Sequence, residues 1–93
     1  MEIIIDWKNI STPEEFYSVF LPQVDAPEWH GHNLNALNDG LVNGDINGLN
    51  PPYKITNLNI SQTKEAIVDF QSSVFEIFID SAKEYSGSEI KVK

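Results

Sequence analysis

Residues 27–41 read PEWHGHNLNALNDGL, an aromatic loop with a glycine hinge that runs into a short helix beginning at His32 or Asn33. Three leucines recur at helical spacing and are expected to face the core: Leu34, Leu37 and Leu41. At 100° per residue, Asn35 and Asp39 lie roughly 150° round the helix from that leucine stripe. The loop and the outer face of the helix therefore present a large ring beside amide, imidazole and carboxylate groups.

The composition suits a single domain over residues 1–93. The chain is 41% hydrophobic, which allows one modest core, and it contains no cysteine for a disulfide framework or a thiolate metal site. The residues after Met1 show no basic region, long apolar run or cleavage-like site, so no signal peptide is predicted. No stretch approaches the roughly 18–20 apolar residues of a membrane span. These features predict a cytoplasmic protein.

The charge balance narrows the classes of partner. Fourteen acidic residues stand against six basic ones, all of them lysine, for a formal net charge of −8. Proteins that bind phosphate backbones carry basic patches rich in arginine, so nucleic acid and anionic membranes are disfavoured as partners. An acidic chain is either simply soluble or attracted to a basic partner.

The segment before this stretch predicts one strand and one helix. Residues 2–7 contain three consecutive isoleucines, a run typical of a strand buried on both faces of a parallel sheet. Thr12 suits an N-cap, with Pro13 at the first helical position and Glu15 closing a capping box. Pro22 should end this helix. Its inward stripe is expected to be Phe16, Val19 and Phe20.

The second half of the chain predicts a loop, two strands and a helical stretch between them. Residues 43–52 are rich in turn formers and should be an exposed loop, and 53–57 read as a strand. From 61 to about 85 the pattern is helical, as one helix or as two with a break near Ser72-Ser73. The alternating residues 89–93 suit a last strand. The inward stripe of the helical stretch steps by three or four: Ile67, Phe70, Val74, Phe78, Ala82 and Tyr85, widened by Phe75 and Ile79.

Strands separated by helices imply crossover connections and a small parallel sheet, which is an α/β fold.

Catalysis has little support in these residues. His30 and His32 are two apart, a spacing that suits metal ligands on a strand but not on a helix, and no HExxH or Cys/His cluster occurs. His32 and Asp39 would stand roughly 10 Å apart along the helix, too far for an acid–base hydrogen bond. No nucleophile elbow, phosphate loop or dinucleotide turn is present. We therefore predict no enzyme, no metal and no cofactor, and rank a hydrolase using either histidine last.

A protein-binding surface fits the same residues better. Interface cores favour tryptophan and tyrosine with a few polar groups around them, and Trp29 near Gly31 fits such an anchor. The alternative is that Trp29 belongs to the core.

The stretch 27–41 resembles the central motif of the barstar family, inhibitors of secreted bacterial ribonucleases. That motif has Pro-Glu, two aromatics, Gly and a variable residue, then Asn-Leu-Asp-Ala-Leu, an aromatic, Asp and, two places on, Leu. The resemblance continues in the apolar first strand, the proline-preceded second strand, a helix with Ser73-Val74 followed by Phe78, and a short last strand. Residues 43–51 look like a longer version of a variable loop. The resemblance implies a three-stranded parallel sheet with three to four helices packed on it.

The resemblance also implies a function. It describes an inhibitor or immunity protein, a monomer that forms a 1:1 heterodimer with a basic ribonuclease toxin and plugs its active site with the second helix and the loop before it. Asp39 corresponds to the family's central carboxylate, which occupies a phosphate position in the enzyme, and Trp29 to an aromatic that covers the cleft. The other expected partner-binding residues are Glu28, His30, Gly31, Asn35, Asn38, Val42 and Glu76.

The chain departs from the family pattern at four positions. Asn35 replaces the first Asp of the motif, His30 its second loop aromatic, Asn38 the aromatic before the central acid, and Ser72 the acid of the last helix. Glu76 lies one turn after Ser72, with Asp80 beyond it, so these acids either replace the lost charge or form an ordinary solvated face. The departures favour a ribonuclease other than the family's best-known target. The alternative function is an interaction module on the same scaffold whose partner is not a ribonuclease.

Overall fold

The computed structural model describes residues 1–26, 30–42 and 51–93, and it confirms the α/β class. Three parallel strands lie side by side in the order β1, β2, β3: β1 (Glu2–Asp6), β2 (Lys54–Leu58) and β3 (Glu89–Val92). Three helices accompany them: α1 (Pro13–Gln23), α2 (Leu34–Val42) and α3 (Val68–Glu84). Most of the loop predicted over 43–52 falls outside the described residues.

The described helices cover one face of the sheet. The connections from β1 to β2 and from β2 to β3 step in the same direction, and right-handed crossovers then place their helices on the same side. Ile3, Ile5 and Ile55 are fully buried, whereas Ile4, which points to the other side, is 46% exposed. The prediction that β1 is buried on both faces is therefore wrong, because β1 is an edge strand of a sheet with one open face.

The start of α1 follows its predicted capping pattern. The hydroxyl oxygen of Thr12 accepts the Glu15 N–H at 3.2 Å, and Pro13 occupies the first turn. The Glu15 carboxylate in turn accepts the N–H of Ser11 at 2.9 Å, one residue before the expected N-cap amide. Local chemistry alone thus determines where this helix begins.

Two predictions for the rest of α1 are wrong. Pro22 lies inside the helix, which ends one residue later at Gln23, so the missing proline N–H affects only the last turn. Val19 is 37% exposed, whereas Tyr17 is 2% exposed. Burial of Leu21 rotates the inward direction of the helix away from Val19 and towards Tyr17.

The helical stretch of the second half contains one α-helix. α3 continues through Ser72-Ser73, because burial of Val74 and Phe78 outweighs the weak helix propensity of two serines. The residues from 61 to 67, predicted helical, form two 3-10 turns instead, Ile60–Gln62 and Glu65–Ile67.

Most of the predicted inward stripe of α3 packs into or against the core, but Ile79 does not. Ile79 is 48% exposed, since it lies about 140° round the helix from Val74, whereas Phe75 packs partly buried against the core.

The remaining strand boundaries are close to the prediction. β2 begins at Lys54 instead of Tyr53, and β3 begins at Glu89 as expected. β1 ends at Asp6, and Trp7, predicted as the last residue of the strand, begins a 3-10 turn, Trp7–Asn9.

An aromatic cluster between Trp7 and α1 fills the centre of the core. The Trp7 ring stacks on Phe16 at a centroid distance of 5.5 Å, and Phe16 stacks on Phe20 at 5.5 Å. The indole N–H of Trp7 donates to the Asn57 side-chain oxygen at 2.9 Å, and the Asn57 amide donates to the carbonyl of Lys91 at 3.1 Å. The fully buried asparagine therefore satisfies the indole and ties β2 to β3.

Candidate protein-binding surface

α2 turns its polar side to solvent. Leu37 and Leu41 are fully buried and Leu34 packs partly buried against the core, which confirms the predicted inward face. Asn35 and Asp39 are exposed and lie one helical turn apart, so their side chains project along the same line of the helix. The other predicted contacts on α2 are half-buried: Asn38 and Val42.

A tight turn leads into α2. The side-chain oxygen of Asn33 accepts the N–H of Ala36 at 2.8 Å, so Asn33 is the N-cap of a helix that begins at Leu34. A Cβ atom at Gly31 would lie 2.9 Å from the Asn33 side-chain nitrogen and 3.1 Å from the Ala36 Cβ. Gly31 therefore contributes by leaving space for the cap.

A buried hydroxyl pair holds the other end of α2. Ser81 of α3 is fully buried, donates its hydroxyl to the carbonyl of Leu41 at 3.1 Å, and accepts the hydroxyl of Tyr53. The Leu41 carbonyl lies in the last turn of α2, where carbonyls lack a helical partner. Burial, with a smaller effect of Tyr85, raises the pKa of Tyr53 to about 12. The two contacts fix α2 to both α3 and the start of β2.

His32 joins the start of α2 to α1. Its Nδ1 atom lies 2.5 Å from a carboxylate oxygen of Glu14, and its ring stacks on Tyr17 with 5.6 Å between centroids. No spacing rule links residues 18 apart, so this contact escaped the sequence prediction. His32 therefore acts as a link between helices.

Of the partner-binding residues predicted before α2, the structure describes His30 and Gly31. His30 is only 9% exposed, and its Nδ1 lies 3.1 Å from the carbonyl oxygen of Gly31. His30 and His32 thus have different neighbours, and within residues 1–26, 30–42 and 51–93 no three His, Asp or Glu side chains are grouped as metal ligands. Glu28 and Trp29 lie outside the described residues, so their roles stay predictions.

α3 carries exposed acids on its outer side. Glu76 and Asp80 are exposed, as is Ser72 one turn earlier. Glu76 lies about 200° round the helix from the buried Val74 and so points away from the core. Because α2 packs along α3, the two helices form adjacent parts of one surface.

Charge is segregated along the chain, a signal that composition alone hides. Residues 9–53, which include α1 and α2, contain six acids and no lysine. Three of the six lysines, in contrast, belong to β2 or to β3 and the residue after it, and point to the open face of the sheet: Lys54, Lys91 and Lys93. These lysines are balanced by three acids on the same face: Glu2, Asp6 and Glu89. The three helices carry seven acids and one lysine, so the helical side of the protein is more negative than the sheet side.

One comparison with known proteins gives a match over the whole chain. A family model described as Barstar (barnase inhibitor) matches residues 1–93, the whole chain. Comparison with curated proteins gave no match. Within the described residues, no helix is both long and apolar enough to cross a membrane.

Proposed function

Because the chain belongs to the barstar family of barnase inhibitors, we propose that it is an immunity protein that binds a cognate ribonuclease toxin and blocks its active site. The observation that carries the proposal is the exposed carboxylate of Asp39 on a helix held at both ends, by the Asn33 cap and by Ser81. In this proposal one inhibitor binds one toxin, in the cytoplasm of the producing cell.

The proposed chemistry is phosphate mimicry. A ribonuclease active site holds RNA phosphates with arginine and lysine side chains, and a carboxylate accepts charge-assisted hydrogen bonds from the same groups. Asp39 supplies that carboxylate, and the rigid helix reduces the entropy lost on binding. Trp29, in the preceding loop, would cover the apolar part of the cleft.

The departures from the family pattern indicate which chemical groups the partner should present to this surface. Asn35, Asn38 and Ser72 place neutral polar groups where family members carry acids or an aromatic. An amide both donates and accepts, so the facing toxin residues should offer hydrogen-bonding groups as well as cations. This supports a toxin with a basic active site that differs from barnase, with Glu76 as a second acidic contact.

The lysine-free segment supports the same class of partner. An acidic helical side attracts a basic enzyme before contact and raises the rate of encounter. Electrostatic steering of this kind is known from the barnase–barstar pair.

Asp39→Ala tests the proposal most directly. We expect it to weaken binding of a catalytically inactive variant of the cognate ribonuclease by about thirtyfold or more. This corresponds to the 2 kcal/mol or more that is lost when one member of a desolvated ion pair is removed. Isothermal titration calorimetry measures the change, and circular dichroism should show an unaltered fold because the side chain is exposed.

The matched control is Glu2→Ala, which removes the same charge from the open face of the sheet. If net charge alone governed binding, the two variants would weaken it equally. Equal affinities for Asp39→Ala and the unmodified protein would refute the assignment of Asp39.

An RNA-degradation assay separates this function from its alternative, an interaction module with another kind of partner. Adding the protein to the active ribonuclease should abolish RNA cleavage at a 1:1 ratio. The absence of both binding and inhibition of the ribonuclease would support the alternative.

A further inference from the structure

Ile4 lies at the centre of β1, and its backbone groups point away from β2, towards the outer edge of the sheet. Ile3 and Ile5 face β2 in the parallel ladder, so the N–H and C=O of Ile4 point to the opposite side. β1 ends the described sheet on this side. An uncovered strand edge of this kind is a template for pairing with another chain.

Gln23 occupies that edge with its side-chain amide. Its Oε1 accepts the Ile4 N–H at 2.8 Å, and its Nε2 donates to the Ile4 carbonyl at 2.8 Å. The Nε2 also donates to the carbonyl of Val19 at 2.9 Å, which holds the side chain against α1. One amide therefore satisfies both outward backbone groups of Ile4.

We propose that the outer edge of β1 is a strand-addition surface for a second copy of this chain, and that Gln23 keeps it closed. In an antiparallel sheet, two residues of a hydrogen-bonded pair exchange both N–H···O=C bonds. Ile4 facing Ile4 of a second copy would make the same two bonds that it now makes with the Gln23 amide. The glutamine amide thus imitates the backbone of a partner strand.

Self-complementarity identifies the second copy as the occupant. Centred on Ile4, an antiparallel pair of β1 strands sets Ile3 of one copy opposite Ile5 of the other, within a run of high strand propensity. Ile4 itself is 46% exposed and would bury surface on pairing. Glu2 would face Asp6, however, so like charges oppose the pairing at low salt and screening should strengthen it. This surface is distinct from the one assigned to the toxin, and the inference does not rest on the proposed function.

Gln23→Ala tests the proposal without any partner protein. We expect the unmodified chain to stay monomeric at 10.5 kDa. The variant should form a species of twice that mass as its concentration approaches the millimolar range, more readily in 1 M than in 0.05 M NaCl. Light scattering coupled to size-exclusion chromatography gives the mass. Gln62→Ala is the matched control, because it removes an exposed glutamine whose side-chain nitrogen donates to the Asn59 side chain at 3.4 Å, away from the edge of β1.

A second substitution locates the interface. Ile4→Pro removes the outward N–H and leaves the ladder bonds to β2, so Gln23→Ala/Ile4→Pro should return to the monomer. Ile4→Glu in the same background should do likewise by adding like charges across the pair. Association that persists in both double variants would overturn the proposal, as would a Gln23→Ala variant that stays monomeric.

Hydrogen exchange reports on the edge even in the monomer. In dilute Gln23→Ala the Ile4 amide should exchange on the order of tenfold faster, because its acceptor is lost. The protection should return when the concentrated sample pairs. An unchanged rate in the dilute variant would show that Gln23 does not hold the edge and would overturn the inference.

Discussion

Ser81 holds the C-terminal end of α2 with a single buried hydroxyl, and removal of this hydroxyl should lower the free energy of unfolding substantially. Ser81→Ala leaves the Leu41 carbonyl and the Tyr53 hydroxyl without the partners they have in the structure. We expect a loss of about 2–3 kcal/mol in the free energy of unfolding, the range for unsatisfied buried polar groups. Urea denaturation followed by circular dichroism measures it.

Ser18→Ala is the control for this prediction at the residue scale. Ser18 is also a helical serine bonded to a carbonyl, that of Glu14 at 3.1 Å, but it is exposed. Its replacement should change stability by less than about 0.5 kcal/mol. Equal losses for the two serines would contradict the role given to Ser81.

The contact between His32 and Glu14 joins two helices, α1 and the start of α2. Both side chains are partly solvated, so a double-mutant cycle of His32→Ala and Glu14→Ala should give a coupling free energy of about 0.5–1 kcal/mol.

A second double-mutant cycle, the control, pairs His32→Ala with Glu15→Ala. In the unmodified protein the Glu15 carboxylate accepts a hydrogen bond from the Ser11 N–H and not from His32. Its coupling should be close to zero. The link between α1 and α2 would be refuted if both cycles gave the same value.

Two buried tyrosines should determine how the whole molecule responds to alkali. Burial raises the pKa of Tyr17 and of Tyr53 to about 12, against an ordinary value of 10.0. A folded-state pKa above the unfolded one gives stability that is present in full below pH 10 and is lost as pH rises towards 12. Each shift corresponds to roughly 2–3 kcal/mol, which urea midpoints at pH 8, 10 and 11.5 would measure.

Tyr17→Phe separates this effect from other alkaline changes. The Tyr17 hydroxyl is buried without a hydrogen-bond partner among the described residues, so its removal should leave stability at pH 7 unchanged or slightly higher. The variant should lose about half of the alkaline sensitivity. An unaltered alkaline profile would exclude Tyr17 as its source.

Features that depend on residues close together in the chain could be predicted from the sequence. The spacing of Leu34, Leu37 and Leu41 predicted which side of α2 faces the core and left Asp39 outside, because helical periodicity is a local property. Thr12 and Glu15 likewise predicted the start of α1. The motif over 27–41 was specific enough to indicate the family that the whole chain matches.

Features that depend on contacts between residues far apart in the chain became apparent in the folded structure. The strand order made β1 an edge and exposed Ile4, although its isoleucine run looked buried on both sides. His32 contacts Glu14, which is 18 residues away in the sequence. The Leu41 carbonyl accepts a hydrogen bond from Ser81, at a separation of 40 residues. Such contacts follow from the path of the chain through space, which no local spacing encodes, so the helix that presents Asp39 was predictable while the groups that hold it were not.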